Sequence, residues 1–113
     1  MKWLFIPGLA LLLAGCGADP AAGAEEGRLL LRQFGCGSCH RIPGVAAADG
    51  NVGPPLDGVG QRAYLGGVLP NTPENMARWI QEPTHFEPDT AMPDMQVTAA
   101  QARAMTVYLQ ELQ

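Results

Sequence analysis

The sequence predicts an all-α domain of three main helices joined by long loops. Apolar residues recur at helical spacing, with matching start and stop signals, in the stretches 25–34, 73–82 and 99–112. The segments between them are rich in Gly and Pro and carry a period of neither 3.6 nor 2. The first stretch also runs straight into Cys36-Gly37-Ser38-Cys39-His40, two thiols three positions apart followed at once by an imidazole.

The first helix, Glu25 to Phe34, opens on the acids Glu25 and Glu26 and carries Arg28 and Arg32 towards its end, a charge order that suits the helix dipole. Leu30, Leu31 and Phe34 form its apolar stripe, and Gly35 ends it just before the cysteines. Gly27 weakens the helix by its low propensity. A second helix crossing closely at that point would offset the cost; a frayed first turn is the other reading.

The thiols and imidazole of Cys36, Cys39 and His40 suit a covalent haem site, the cysteines alkylated by the two vinyl groups while the histidine binds iron. Half of a zinc site, a thioredoxin-like redox pair and a disulfide compete with it. Zinc needs two more ligands, and a redox pair usually follows a strand in a β-α-β pattern that this chain lacks. The loop 44–69 adds weight to haem, because so long a structureless segment counts against a purely polypeptide core and a large apolar cofactor would give it something to pack on. Within it, Val52-Gly53-Pro54-Pro55-Leu56 fixes the backbone and leaves a carbonyl able to accept the proton on the second nitrogen of His40. Two prolines stiffening a loop is the alternative. Arg62 and Tyr64 suit the haem propionates, or else are solvated loop residues.

Thr72 as N-cap, Pro73 at the first helical position and Glu74 in the first turn start the second helix, and Pro83 stops it. Met76, Trp79 and Ile80 share one face and read as core. The loop from Pro83 to Met95 offers three groups that could bind iron: His85, Met92 and Met95. Met92 is the preferred ligand, because its soft, neutral sulfur favours ferrous iron and raises the reduction potential, and Pro93 restricts the loop presenting it. His85 would give a lower potential. Thr98 and Gln101 form a capping box for the last helix, Ala99 to about Leu112, whose stripe of Ala102, Met105, Leu109 and Leu112, with Tyr108 beside it, should pack on the first helix.

At the other end, Met1-Lys2 precedes an apolar run from Trp3 to Leu13, too short to span a bilayer and shaped like a secretory signal. Leu13-Ala14-Gly15-Cys16 resembles the lipobox of bacterial lipoproteins, which implies a lipidated Cys16 with cleavage before it. Ordinary cleavage, with Cys16 a stray thiol, is the alternative. The organisation expected is therefore a signal peptide over 1–15, a flexible tether over 16–24 and a folded domain over 25–113. The protein would be exported to a bacterial cell envelope and anchored by lipid, facing the periplasm or the outer side of the cytoplasmic membrane. The three cysteines are then accounted for by one lipid and one haem, with none left for a disulfide. Processing removes the only lysine, Lys2, and leaves six arginines against 11 acids. Such a chain has no reason to bind nucleic acid, and its partner's face should be basic or apolar.

Helix, C-x-x-C-H, a Gly-Pro-Pro-Leu loop, a middle helix, a Met-Pro loop and a final helix containing Tyr-Leu together resemble the class I c-type cytochromes, above all small bacterial cytochromes and cytochrome domains that serve terminal oxidases. The resemblance implies the cytochrome c fold wrapped around one covalent haem c. Cys36 and Cys39 would be thioether-linked, His40 the proximal ligand, Pro54 the proline of the glycine-proline motif and Met92 the second axial ligand. It also implies a one-electron carrier, not an enzyme, with no small-molecule substrate. The donor would be a quinol-oxidising complex or dehydrogenase, and the acceptor a terminal oxidase or reductase. The chain departs from the best-known soluble members in lacking the lysines they dock with. A haem-based sensor or peroxidase with an open or labile sixth position is the competing function, although no distal acid or base is evident near the iron. With 98 residues after processing and two long loops, the form without haem is expected to be largely unfolded.

Overall fold

The computed structural model describes Gly15 and residues 20–113. The predicted signal peptide, apart from Gly15, and Cys16, where a lipid is expected, lie outside the described residues. The elements in order are α1 (Pro20–Gln33), a 3-10 turn (Cys36–Ser38), a second 3-10 turn (Val59–Gln61), β1 (Tyr64–Leu65), β2 (Leu69–Pro70), α2 (Pro73–Gln81), α3 (Pro83–Phe86) and α4 (Ala99–Gln110). Among the described residues no helix is long and apolar enough to cross a membrane.

The three expected helices form, and α4 lies between the other two. Its capping box is complete: Thr98 Oγ1 accepts from the Gln101 amide at 3.2 Å, and Gln101 Oε1 accepts from the Thr98 amide at 3.0 Å. Ala102 and Met105 are wholly buried and Leu109 nearly so. Burial of a methionine of this kind contributes about 1.5–3 kcal/mol against leaving it in water. α4 packs along α1 on one side and α2 on the other. The crossing with α1 is made at Gly27, where a Cβ would overlap the backbone carbonyl of Ala104. Close helix approach, rather than a frayed turn, explains that glycine.

Three expectations need correction. α1 starts at Pro20, not Glu25, so residues 20–24, read as part of a flexible tether, belong to the helix. Proline is compatible with a first helical position, and the added turns are held by tertiary contact: Ala24 is buried, and Gly23 lies against Val107 of α4. The loop after α2 contains α3, because Pro83, which cannot continue α2, can begin another turn. The loop 44–69 runs into a short antiparallel hairpin pairing Tyr64 with Pro70 and Leu65 with Leu69, too brief to leave a period in the sequence.

Candidate functional site

Residues 35–66 and 87–97 leave the helices and fold around one cleft. α1 ends in a left-handed Gly35, and the chain then turns sharply, the amides of Cys39 and His40 both donating to the Cys36 carbonyl at 3.3 and 3.0 Å. This turn points Cys36, Cys39 and His40 at the same cleft. Gly37 within it is buried because Ala48 crosses directly over it, and Gly50 runs so close to Ser38 that a side chain would overlap the Ser38 carbonyl. Cys36 and Cys39 form no disulfide with each other. Burial raises the pKa of the Cys36 thiol before any attachment.

His40 is fixed from two sides. Its Nδ1 lies 2.7 Å from the Pro54 carbonyl oxygen, which can only accept, so the ring proton sits on Nδ1 and Nε2 keeps its lone pair. Gly53 presses against the same ring, and a Cβ there would overlap Cε1. The Gly53 amide donates to the Cys39 carbonyl at 2.8 Å and ties this segment to the cysteine turn. Of the two roles open to the prolines, that of carbonyl presenter is the one the structure adopts at Pro54.

Leu31, Val59, Met76, Ile80 and Leu109 make the floor of the cleft, so the face of α2 that reads as core doubles as its wall. Trp79 also lines it, with its indole set against Gly66, whose φ of 56° and lack of a side chain let the hairpin turn sit on the ring. Met92 is half-buried and lines the cleft; its amide donates to Thr90 Oγ1 at 3.2 Å. Met95 reaches the mouth of the cleft and is 41% exposed. His85 is not brought to the cleft: it is exposed on α3, edge-on to Phe86 at 4.9 Å. Arg62 and Tyr64 both line the cleft, and Arg62 Nη2 donates to the Pro55 carbonyl. The close approaches at Gly37, Gly50, Gly53 and Gly66 and the wall role of Trp79 escape sequence reasoning. Glycine at such density was the one signal of them.

The residues fit a covalently attached haem. Two free thiols and an oriented imidazole face a carbon-lined cleft, and Gly53 leaves the imidazole ring room to stand. Among the described residues no three His, Cys, Asp or Glu side chains gather to hold a metal ion, so zinc lacks its set, and no β-α-β unit supports a thioredoxin-like pair.

A helical fold with this site is that of a haem-binding electron-transfer domain. Residues 24–113 match the family model for cytochrome c, and the chain belongs to that family, with haem c as its covalent cofactor. It is similar to cytochrome c oxidase subunit 2 of Alkalihalophilus pseudofirmus, 29% identical over 90 residues that cover 79% of this chain and 25% of the relative. It is also similar to cytochrome c oxidase subunit 2 of Bacillus sp., 29% identical over 98 residues, 83% of this chain and 27% of the relative. The chain therefore spans about a quarter of the length of these relatives.

Proposed function

We propose that the protein is a lipid-anchored one-electron carrier, not an enzyme, whose haem iron is held between His40 and Met92. The observation that carries this reading is that one cleft is lined both by an imidazole whose free nitrogen is Nε2, set by the Pro54 carbonyl, and by a half-buried methionine on a loop tied through Thr90. Haem c supplies a reversible ferric/ferrous couple. The chain's own residues fix its ligands and wrap it in carbon: the Pro54 carbonyl strengthens His40 as a donor, Met92 favours the reduced state, and Trp79, Leu31 and Ile80 keep water from the cleft. With His40 and Met92 both holding the iron, the group would be left no place for a substrate and would serve electron transfer. Arg62 and Tyr64, on the cleft wall, are the groups that suit the propionates, Arg62 being already oriented by Pro55.

The likeness to cytochrome c oxidase subunits 2 supports an acceptor of the terminal oxidase class, with a quinol-oxidising complex or a dehydrogenase as donor. Leu13-Ala14-Gly15-Cys16 supports export, lipidation at Cys16 and residence on the outer side of a bacterial cytoplasmic membrane or in its periplasm. Tethering raises the effective concentration of any acceptor in the same membrane, which reduces the need for long-range steering by lysines that this chain lacks after processing.

Optical spectra of the holoprotein test the reading: oxidised, reduced, and reduced under carbon monoxide, with Met92→Ala alongside. The expected wild type is low-spin, shows the weak long-wavelength sulfur-to-iron band and ignores carbon monoxide, and the variant loses the band and binds carbon monoxide. A high-spin wild type that takes carbon monoxide readily, unchanged by the substitution, would replace the carrier with a haem sensor or peroxidase.

A further inference from the structure

α2 and α4 carry a second groove, on a different flank from the cleft. Glu74, Ala77 and Arg78 of α2 line it from one side and Ala99, Arg103 and Val107 of α4 from the other. It shares no lining residue with the cleft, which Met76, Ile80 and Leu109 of the same two helices border. Two of the chain's six arginines thus stand at this groove. Neither makes an ion pair: the pairs among the described residues are Arg28 with Glu25 and Arg41 with Asp57, and Arg78 lies over the Phe86 ring at 5.1 Å. The groove also adjoins the start of α1. Val107 on its rim packs against Gly23, and Ala24, one residue on, is buried, so this end of α1 is fixed to α4. Only Gly17, Ala18 and Asp19 separate Pro20, where α1 begins, from Cys16, a span of at most about 14 Å even with the chain fully extended.

We propose that the α2–α4 groove is the face on which the protein rests on its membrane, seated on the phospholipid headgroups around the lipid of Cys16. The inference rests on the anchoring reading and says which side of the domain meets the bilayer. An anchor so close to Pro20 lets two flanks reach the headgroups, that of α1 and that of α2 with α4. Charge selects between them. α1 presents the exposed Glu25 and Glu26 in the turns nearest the anchor; Glu25 holds Arg28, and Arg32 lies at the cysteine end. Phosphates repel that start. The groove offers Arg78 and Arg103, whose guanidiniums take a phosphate in paired hydrogen bonds while their stems extend the apolar walls of Ala77, Ala99 and Val107. Its acid, Glu74, suits the ammonium of an aminophospholipid. The chain as a whole carries net charge −4, so general adhesion to an anionic leaflet is opposed and the contact is local. The anchor supplies the affinity, and the groove has only to set the orientation. Because the cleft lies on another flank of the same helices, this seating keeps the cofactor off the bilayer.

The test uses the full reduced holoprotein in vesicles of phosphatidylethanolamine and phosphatidylglycerol that contain a nickel-chelating headgroup lipid. Nitroxides attached at Ala99→Cys, Leu29→Cys and Val52→Cys report nearness to the headgroups through nickel-enhanced relaxation. All three positions are exposed: Ala99 lines the groove, Leu29 lies on α1 and Val52 at the cleft. Enhancement at position 99 is expected to exceed that at 29 and 52 about threefold or more. Arg103→Glu breaks no ion pair and leaves Arg78 on Phe86, and it should bring the three positions within about a factor of two while the optical spectrum and helical circular dichroism stay unchanged. Equal enhancement at all three positions in the otherwise unaltered protein, the strongest signal at 29 or 52, or a pattern that survives Arg103→Glu would overturn the proposal. Flotation with the vesicles and the mass of the N-terminal peptide keep the two readings apart. A protein without lipid that stays off the vesicles sinks the anchoring reading and the groove with it, whereas an anchored protein with the wrong pattern sinks the groove alone.

Discussion

The helical frame of α1, α2 and α4 and the loops of the cleft hold their shape by different means. The frame is continuous side-chain packing: Leu31, Met76, Ala102, Met105 and Leu109 are all at most 4% exposed and belong to one cluster. The loops add fewer side chains to that cluster, Ile42, Val45 and Val59 among them, and rely more on backbone bonds between segments, such as Gly50 N to Gly37 O at 3.0 Å, Leu56 N to Arg41 O at 2.8 Å and Ile42 N to Ala48 O at 3.1 Å. Every described residue with positive φ lies in the loops, including the non-glycines Ala47 (φ 59°) and Gln96 (φ 58°). The cleft between them is lined mostly by apolar side chains. In the frame, polypeptide solves its own packing problem; in the loops, half of the solution is the cofactor.

The largest effect should come from taking that half away. In Cys36→Ala, Cys39→Ala protein made without haem, the loops lose their packing partner and the floor residues Leu31, Met76 and Leu109 face water. These residues belong to the frame as well, so the loss spreads. The helical circular dichroism signal is expected to fall by about half or more, and the thermal transition to lose its cooperativity. Full helical content with a sharp melt would show that the frame stands without the cofactor.

Two glycines separate the regions more finely. A methyl at Gly27 would overlap the Ala104 backbone, which cannot swing aside, so Gly27→Ala should cost about 2–4 kcal/mol in denaturant unfolding of the holoprotein while the spectrum of the folded fraction is kept. A methyl at Gly53 meets the His40 ring, so Gly53→Ala should cost less, about 1–2 kcal/mol, but disturb the ligand field and raise carbon monoxide binding. Stability losses in the opposite order, or a spectrum altered only by the α1 substitution, would erase the distinction between frame and loops.

The same division explains what could be read from sequence. Helix starts at Thr72 and Thr98 are local devices, a hydroxyl and the amide three positions on, and both appear where the residues place them. The start of α1 is not local. Ala-Ala-Gly-Ala carries no apolar period, and it is helical because Val107 and the rest of α4 lie alongside. In the cleft, Cys36, Cys39, His40, Pro54 and Met92 announce themselves because their chemistry is specific to residue type and spacing. Gly37, Gly53 and Gly66 do not, because what each must clear is a side chain or loop distant in sequence: Ala48, His40 and Trp79. His85 is the least favoured of the three candidate donors in the sequence, and in the structure it sits exposed on α3, away from the cleft.

The smallest effect concerns the clamp between the two regions. Tyr108 of α4 donates its hydroxyl to the Pro43 carbonyl at 2.5 Å, and Arg28 of α1 donates to the next carbonyl, that of Gly44, at 3.3 Å, so both long helices hold the start of the same loop. Gly44 is left-handed and lies directly under the tyrosine oxygen, which leaves no room for a side chain or a different turn. Tyr108→Phe keeps the ring and removes one hydrogen bond, for an expected loss of about 1 kcal/mol with the optical spectrum unchanged. The pH profile supplies a second signature. Burial raises the Tyr108 pKa in the folded protein, so the folded state binds its proton more tightly than the unfolded chain. That contribution is fully present below the ordinary tyrosine pKa of about 10 and is lost as pH rises through the folded value. Wild-type stability should therefore fall more steeply than that of Tyr108→Phe above about pH 10. Parallel alkaline profiles would mean that the hydroxyl is not held at Pro43, and that the loop is fastened to the frame by Arg28 and packing alone.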